Sequence, residues 1–272
     1  FLCYTVKASM QTSGNSFTLP AFREDKLTGI LTSYDSKDQI SDVISVDIIS
    51  AFLKDASDGT YVGFPSLGVG TTTTEDPHFR GWLKLPEDKG GLYVTRTLPG
   101  GAGHKAGLKK GDVILSVSGF PIDRRGYFKH PEYGTLYWPH LVRGGPVMGA
   151  QVPIEILRNG KPRKLKGTLK KAPLPLVPTH GHDEAPPFLI KGGLVFQELS
   201  KPYLEAFGKD WATRAPLNLL DVLNNPEDYE EGRHRVVVLT RVIATEATIG
   251  YDRLGSQIIK SINGNPVAGL PE

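Results

Sequence analysis

Cysteine, long apolar runs and a strong net charge are all scarce in this sequence. Cys3 is the single cysteine among 272 residues, so neither a disulfide within the chain nor a thiol pair for zinc or redox chemistry can form. The longest apolar stretches, such as residues 236–239, fall far short of the ~20 residues that span a bilayer. The first residues also lack the basic start of a signal peptide. We expect no membrane span and no signal peptide.

The charge balance gives little support to nucleic-acid binding. The 32 Lys and Arg residues exceed the 29 Asp and Glu residues by only three, which is too small a surplus to indicate a polyanionic partner. Residues 158–171 contain seven basic residues and no acidic one, but they flank Asn159-Gly160, a pair typical of tight hairpin turns. A solvated hairpin face is the preferred interpretation. A nucleic-acid surface is the alternative, and it requires strongly salt-dependent affinity.

Glycine and proline, in contrast, are plentiful. The chain has 31 Gly and 21 Pro, with 39% hydrophobic residues, which favours many short strands around a buried core over long helices. A length of 272 residues predicts one large or two ordinary domains. The fold class expected is therefore mainly β with short helices.

A weak internal repeat indicates two modules of one fold. Four matches share a single offset of 145 positions and need no gaps: Thr95-Arg96 with Thr240-Arg241, Ile114 with Ile259, Gly119 with Gly264, and Pro121 with Pro266. Both copies read as a strand, a turn, a short apolar segment, a strand and a tight turn. A proline-rich stretch at residues 173–187 lies between the copies and predicts a connector.

The first copy carries the more specific motif. Residues 90–94 read GGLYV and residues 106–122 read AGLKKGDVILSVSGFPI, with glycines placed for tight turns and apolar residues placed for a core. This segment resembles bacterial-type PDZ domains. Upstream, residues 64–69 read FPSLGV and resemble that family's carboxylate-binding loop and first groove strand. The resemblance implies that an extended peptide adds to this strand.

The peptide-binding candidates follow from this resemblance. The receiving loop and strand comprise Ser66, Leu67, Gly68 and Val69. A helix over residues 135–143 is expected to form the opposite wall, with Leu136, His140 and Leu141 spaced to face one side. Alternatively, the same apolar residues only fill the core of a non-binding scaffold.

The whole chain resembles the C-terminal portion of Deg/HtrA-type serine proteases. The expected order is a remnant or C-terminal part of a trypsin-like barrel with a connecting helix at residues 1–58, a PDZ domain at 59–172, the linker at 173–187, and a divergent, possibly truncated PDZ-like domain at 188–272. The resemblance implies peptide recognition, homo-oligomer assembly and protein quality control. It favours the periplasm or cell envelope if the source is bacterial.

Catalysis by this chain is not expected. The family's nucleophile motif is Gly-Asn-Ser-Gly-Gly-Pro, and Gly14-Asn15-Ser16 matches its start, but Phe17 and Thr18 replace the glycine pair. The family's general-base His and its Asp partner lie far upstream of the nucleophile, whereas only fifteen residues precede Ser16. Ser16 is at most a vestigial catalytic residue.

No cofactor or metal is expected. His180 and His182 lie in the proline-rich connector without a third histidine at strand or helix spacing, so a solvated linker is preferred to a metal site. Residues 120–138 are dense in aromatic side chains, which predicts either a cover for the groove or a subunit contact.

Three classes of function remain from the sequence. The preferred one is a peptide-recognition and assembly region of a Deg/HtrA-like endopeptidase, which takes its catalysis from residues outside this chain. The main rival is a binding or scaffold protein without peptidase activity in any form. The third is a nucleic-acid-binding protein that uses residues 158–171.

Overall fold

The computed structural model describes residues 2–7, 19–179, 185–251 and 253–271, so Ser16, His180 and His182 lie outside the described residues. The chain divides into two compact units, Phe1–Pro173 and Leu174–Glu272. It is mostly β with short helices, which confirms the predicted fold class. Among the described residues, no helix is long and apolar enough to cross a membrane.

The first unit opens with a four-stranded antiparallel sheet. Its strands are β1 (Cys3–Lys7), β2 (Pro20–Arg23), β3 (Lys26–Asp35) and β4 (Ile40–Ser45), in the order β1-β4-β3-β2. Helix α1 (Val46–Asp55) follows, with Asp47 in its first turn and Lys54 in its last, where each charge complements the helix dipole. A 3₁₀ turn (Ala56–Asp58) ends at Gly59, as expected. The interpretation of this sheet as part of a trypsin-like barrel stays a prediction.

A second sheet forms the rest of the first unit. Its elements are β5 (Pro65–Ser66), β6 (Val69–Thr72), α2 (Pro77–Leu83), β7 (Leu92–Thr97), α3 (Ala102–Lys105), β8 (Val113–Val117), β9 (Phe120–Pro121), β10 (Tyr127–His130), β11 (Gly134–Tyr137), α4 (His140–Arg143), β12 (Gln151–Arg158), β13 (Lys161–Thr168) and β14 (Lys170–Lys171). The strand order is β13-β12-β8-β7-β6, with β9 beside β8, while β14 pairs with β5 and β10 pairs with β11. Strand β6 is therefore an edge strand.

The predicted helix over residues 135–143 is wrong in its first half. Residues Gly134–Tyr137 form strand β11, and α4 has only four residues. Thr135 and Tyr137 favour extended backbone and pair with β10. Pro139 then stands at the start of α4, where its missing N–H and fixed φ are tolerated, although they are not tolerated inside a helix.

The second unit builds its own sheet and core. Its elements are β15 (Phe188–Lys191), β16 (Leu194–Glu198), α5 (Lys201–Glu205), α6 (Trp211–Arg214), α7 (Leu217–Asn224), β17 (Val237–Val242), β18 (Gln257–Ile258), β19 (Ser261–Ile262) and β20 (Asn265–Pro266), with 3₁₀ turns at Pro226–Asp228 and Glu246–Thr248. The sheet order is β15-β16-β17-β18, and β19 pairs with β20. Leu204, Leu219 and Val222 of the inserted helices pack in the core of this unit.

The first residues of the predicted linker make contacts within the second unit. Leu176 and Val177 are buried in the core of the second unit, and the carbonyl of Pro178 accepts a hydrogen bond from the N–H of Lys201 at 2.8 Å. These residues are therefore not a free connector. Burial of two apolar side chains has a lower free energy than their exposure to water. The four-part division of the chain otherwise stays a prediction.

The backbone repeats at the offset found in the sequence. Strands β7 and β17 are separated by 145 positions at both ends, and so are β9 and β20. The turn before β9 in the first copy has positive φ at Ser118 and Gly119, and the turn before β20 in the second copy has positive φ at Asn263 and Gly264. Each glycine has a φ of 81°, a left-handed conformation that glycine adopts at little cost.

Candidate peptide-binding site

A cavity of about 190 Å³ lies between strand β6 and helix α4. One wall is formed by the β5–β6 loop and strand β6. The other is formed by α4 and the residues that lead into it. The lining residues are Ser66, Leu67, Gly68, Val69 and Thr71 on one side, and Tyr137, Trp138, Pro139, Val142 and Arg143 on the other. This cavity is called the groove below.

Backbone hydrogen bonds anchor the loop between β5 and β6. The carbonyl of Leu67 accepts a hydrogen bond from the N–H of Gly103 in α3 at 2.6 Å, and the carbonyl of Gly68 accepts one from Leu98 at 2.8 Å. The N–H of Gly68 donates to Ser66 Oγ at 3.0 Å. A carboxylate is a stronger acceptor than a hydroxyl, so a ligand carboxylate in the groove can compete for this donor.

Basic residues occur on the segments that border the loop. Arg143 is exposed at the groove and has no ion pair among the residues that the structure describes. Lys170 lies opposite Ser66 in the β5–β14 pair. A hydrogen bond with Lys105 and repulsion by its charge lower the pKa of Lys170. This arrangement favours an anionic group at the loop.

An open strand edge runs along the same groove. Strand β6 pairs with β7 on one side, from Val69 opposite Thr97 to Thr72 opposite Tyr93, and has no strand on its other side in the described part of the chain. Its outward N–H and C=O groups can therefore pair with an added extended segment. The groove thus combines a loop that favours an anion with a free strand edge to which an extended segment can add.

The structure brings together only part of the predicted site. Ser66, Leu67, Gly68 and Val69 line the groove. Leu136 and His140 instead line another cavity of about 220 Å³, together with Leu2 and Ile48, and Leu141 is buried in the core. These three residues were assigned to the groove wall because a helix was predicted where a strand forms. The wall consists of Trp138, Val142 and Arg143 instead. Peptide binding by the seven predicted residues stays a prediction.

His140 lies in a mostly apolar environment away from the groove. Burial lowers its pKa, and the charge of His130 lowers it further. The two imidazole rings lie 5.8 Å apart, and the Phe128 ring stacks against His140 at 6.4 Å. The neutral form of His140 is therefore favoured, and this residue acts as a packing residue.

The groove wall contained residues that the sequence reasoning missed. Thr71, Tyr137, Trp138, Val142 and Arg143 all line it. The available signal was the density of aromatic residues at 120–138, which predicted a cover for the groove or a subunit contact. Tyr137 and Trp138 belong to that segment.

The corresponding edge of the second unit is covered by the chain itself. Strand β16 pairs with β17, the repeat of β7, so β16 takes the place that β6 takes in the first unit. Its other side is paired with β15, from Phe188 opposite Gln197 to Lys191 opposite Leu194. Within the described residues, β16 therefore has no free edge to which a peptide could add.

Two helical glycines provide a matched test of the loop support. A Cβ at Gly103 would lie 2.7 Å from Val69 Cγ1 and 2.9 Å from the Leu67 carbonyl oxygen, whereas a Cβ at Gly81 in α2 meets nothing within 4 Å. We expect Gly103→Ala to displace the loop and lower stability, because backbone at the loop must move. Gly81→Ala should stabilise by about 0.5–1 kcal/mol. Urea unfolding of both variants checks this. Equal effects would contradict the account of the loop.

Two family profiles, each described as "PDZ domain", match residues 68–125 and residues 177–272. The first contains most of the groove strand and the repeat motif, and the second contains the second copy of the repeat. The chain is therefore a protein with two PDZ domains.

The chain is similar to curated proteins that are named as proteases. "Protease Do-like 2, chloroplastic" of Arabidopsis thaliana is 31% identical over 237 residues, which cover 86% of this chain and 37% of the relative. "Putative protease Do-like 3, mitochondrial" of the same plant is 27% identical over 255 residues, covering 92% of this chain and 43% of the relative. Over most of its length the chain is homologous to part of the Deg/HtrA-type serine proteases. It spans less than half the length of these two relatives.

Solved structures are similar to a smaller part. The match to the structure described as "HtrA-type protease AlgW with decapeptide" covers 54% of this chain and 42% of the matched chain, with a TM-score of 0.39 and 23% identity.

Proposed function

We propose that the first PDZ domain binds the extended C-terminal segments of polypeptides in the groove, and that the region recognises substrates for a Deg/HtrA-like serine endopeptidase. The observation that carries the proposal is the coincidence of three features in one groove. They are an anchored loop and, as far as the described residues go, an open strand edge and an Arg143 without an acidic partner. We also propose that the chain self-associates.

The expected affinity is modest. Micromolar binding corresponds to roughly 8 kcal/mol, of which one buried Leu- or Val-sized side chain supplies about 1.5–3 kcal/mol. Main-chain hydrogen bonds along β6 and the terminal carboxylate must supply the rest. Hydrogen bonds to a charged group are worth about 1.5–3 kcal/mol each, so the carboxylate is the part of the ligand whose removal is easiest to detect.

Calorimetry with peptides that end in an apolar residue tests this function. We expect a free-acid peptide to bind and its C-terminal amide to bind roughly tenfold or more weakly, because amidation removes the charge. Arg143→Gln should weaken the free acid more than the amide. Arg125→Gln is the matched control, since Arg125 is exposed and pairs with Glu75. Affinity that ignores both amidation and Arg143 would contradict the proposal.

We propose further that this chain supplies binding rather than catalysis. The five histidines within the described residues all lie outside the four-stranded sheet, and His130 and His140 are packed against aromatic rings. The purified chain should therefore not hydrolyse casein or small esters, because Phe17 and Thr18 replace the glycine pair of the nucleophile motif and the described histidines lie outside the sheet. Hydrolysis that Ser16→Ala abolishes would overturn this.

A further inference from the structure

We propose that the peptide site extends beyond the groove onto a ledge formed by Tyr127 and Tyr137, and that the domain selects C-terminal segments with an aromatic or proline ring about four to six residues before the end. This inference rests on the proposed function, because it names the class of peptide that the groove would take. It concerns the β10–β11 hairpin of the first domain.

The two tyrosines form one exposed surface. They lie directly opposite each other in the β10–β11 pair, so their side chains share one face of the hairpin. Their ring centroids are 5.5 Å apart at an angle of 56°, and the residues are 41% and 51% exposed. On the opposite face, Phe128 is buried in the domain core. The hairpin is therefore anchored by one face and presents the tyrosines on the other.

The ledge is continuous with the groove. Tyr137 lines the groove together with Thr71, and Tyr127 lines a separate cavity of about 310 Å³ with Lys129 and Thr135. A Cβ at Gly126 would lie 2.8 Å from the Tyr137 ring and 3.1 Å from Leu92 Cδ1, which places this ring at the start of β7. The tyrosine pair thus stands between the two cavities.

The direction of a bound peptide brings its upstream residues to this ledge. A terminal carboxylate at the Leu67–Gly68 loop lies before the first residue of β6, so the peptide must run antiparallel to β6 and leave near Thr71 and Thr72. The three steps from Val69 to Thr72 span about 10 Å. About four peptide residues are therefore used in the groove, and the next ones pass Tyr137.

The chemistry of the ledge selects flat rings. Exposed tyrosine faces pair with aromatic rings in stacked or edge-on arrangements that add about 0.5–1.5 kcal/mol beyond the area buried. Proline is a second good occupant, because Pro-rich extended segments dock on aromatic surfaces at low entropic cost. Small polar residues gain neither advantage.

The test compares peptides that differ only upstream. Three octapeptides share the same four apolar-ended C-terminal residues and carry Trp, Pro or Ser at the fifth position from the end. Calorimetry is run with the natural chain, with Tyr127→Ser, and with Tyr61→Ser as the matched control. Tyr61 is 49% exposed and pairs with the Phe52 ring at 5.1 Å, and it is not one of the residues that line the groove.

We expect the Trp and Pro peptides to bind roughly two- to tenfold more tightly than the Ser peptide. This preference should vanish in Tyr127→Ser and persist in Tyr61→Ser. Equal binding of all three peptides to the natural chain would overturn the ledge and leave the groove intact. If none of the three peptides binds, both the ledge and the proposed function are overturned. If Tyr127→Ser dissociates an oligomer in sedimentation without changing the preference, the ledge is a contact between copies and the inference is wrong.

Discussion

Replacing Arg80 by methionine is expected to destabilise the first unit by about 3 kcal/mol or more. The Arg80 residue is 1% exposed and lies in helix α2. Its guanidinium donates to the carbonyl of Thr74 at 3.2 Å, to that of Pro86 at 2.7 Å and to that of Lys89 at 2.8 Å. Methionine keeps the apolar stem but removes three hydrogen bonds from a charged group, each worth about 1.5–3 kcal/mol. The buried Thr74 carbonyl loses this donor, whereas the Pro86 carbonyl keeps the N–H of Lys89 at 3.1 Å.

The three carbonyls belong to the segments that join β6, α2 and β7, so the loss should loosen the groove strand at its far end. Urea unfolding measures it, with Trp211 replaced by Phe in every variant so that Trp82 and Trp138 report on the first unit. Arg125→Met is the control. Its exposed pair with Glu75 should contribute no more than about 1 kcal/mol. An Arg80 variant as stable as the Arg125 variant would show that the carbonyls find other donors.

Replacing Asp112 by alanine is expected to cost about 2–4 kcal/mol. Asp112 is 1% exposed and holds Arg158 through two bonds, Nε to Oδ1 at 2.6 Å and a second nitrogen to Oδ2 at 2.8 Å. It also accepts the N–H of Lys109 at 2.9 Å. The interaction with Asp112 raises the pKa of Arg158. The variant leaves a largely enclosed cation and a turn N–H without their acceptor.

Glu155→Ala is the matched control for this pair. Glu155 lies on the same strand as Arg158, and its bond to Lys164 at 3.1 Å is exposed, so its loss should cost at most about 1 kcal/mol. The double variant Asp112→Ala with Arg158→Met should recover part of the loss, because it removes both charges. A double variant less stable than Asp112→Ala would contradict this explanation.

The sequence was sufficient for the repeated fold because the repeat combines strand patterning with turn chemistry. Gly119 and Gly264 occupy the same left-handed position, and the apolar residues of β8, such as Ile114, are buried. The Asn159-Gly160 turn also formed as expected, with positive φ at both residues. These signals are local, and local signals survive in a single sequence.

The groove wall could not be predicted in the same way. Leu136, His140 and Leu141 have helical spacing, but the choice between strand and helix at residues 135–137 depends on pairing with β10, a tertiary contact. The partnership of Asp112 with Arg158 joins residues 46 positions apart, and the carbonyls held by Arg80 come from two loops. No pattern in the sequence reports such contacts.

Amide hydrogen exchange of the natural chain with an apolar-ended free-acid peptide tests the central claim most directly. If the peptide adds to the edge of the first PDZ domain, protection should rise at the outward amides of β6 and at the Leu67–Gly68 loop. The amides of β16, already paired with β15, should not change. Protection confined to the second unit, or to the opposite edge strand β13, would contradict the account.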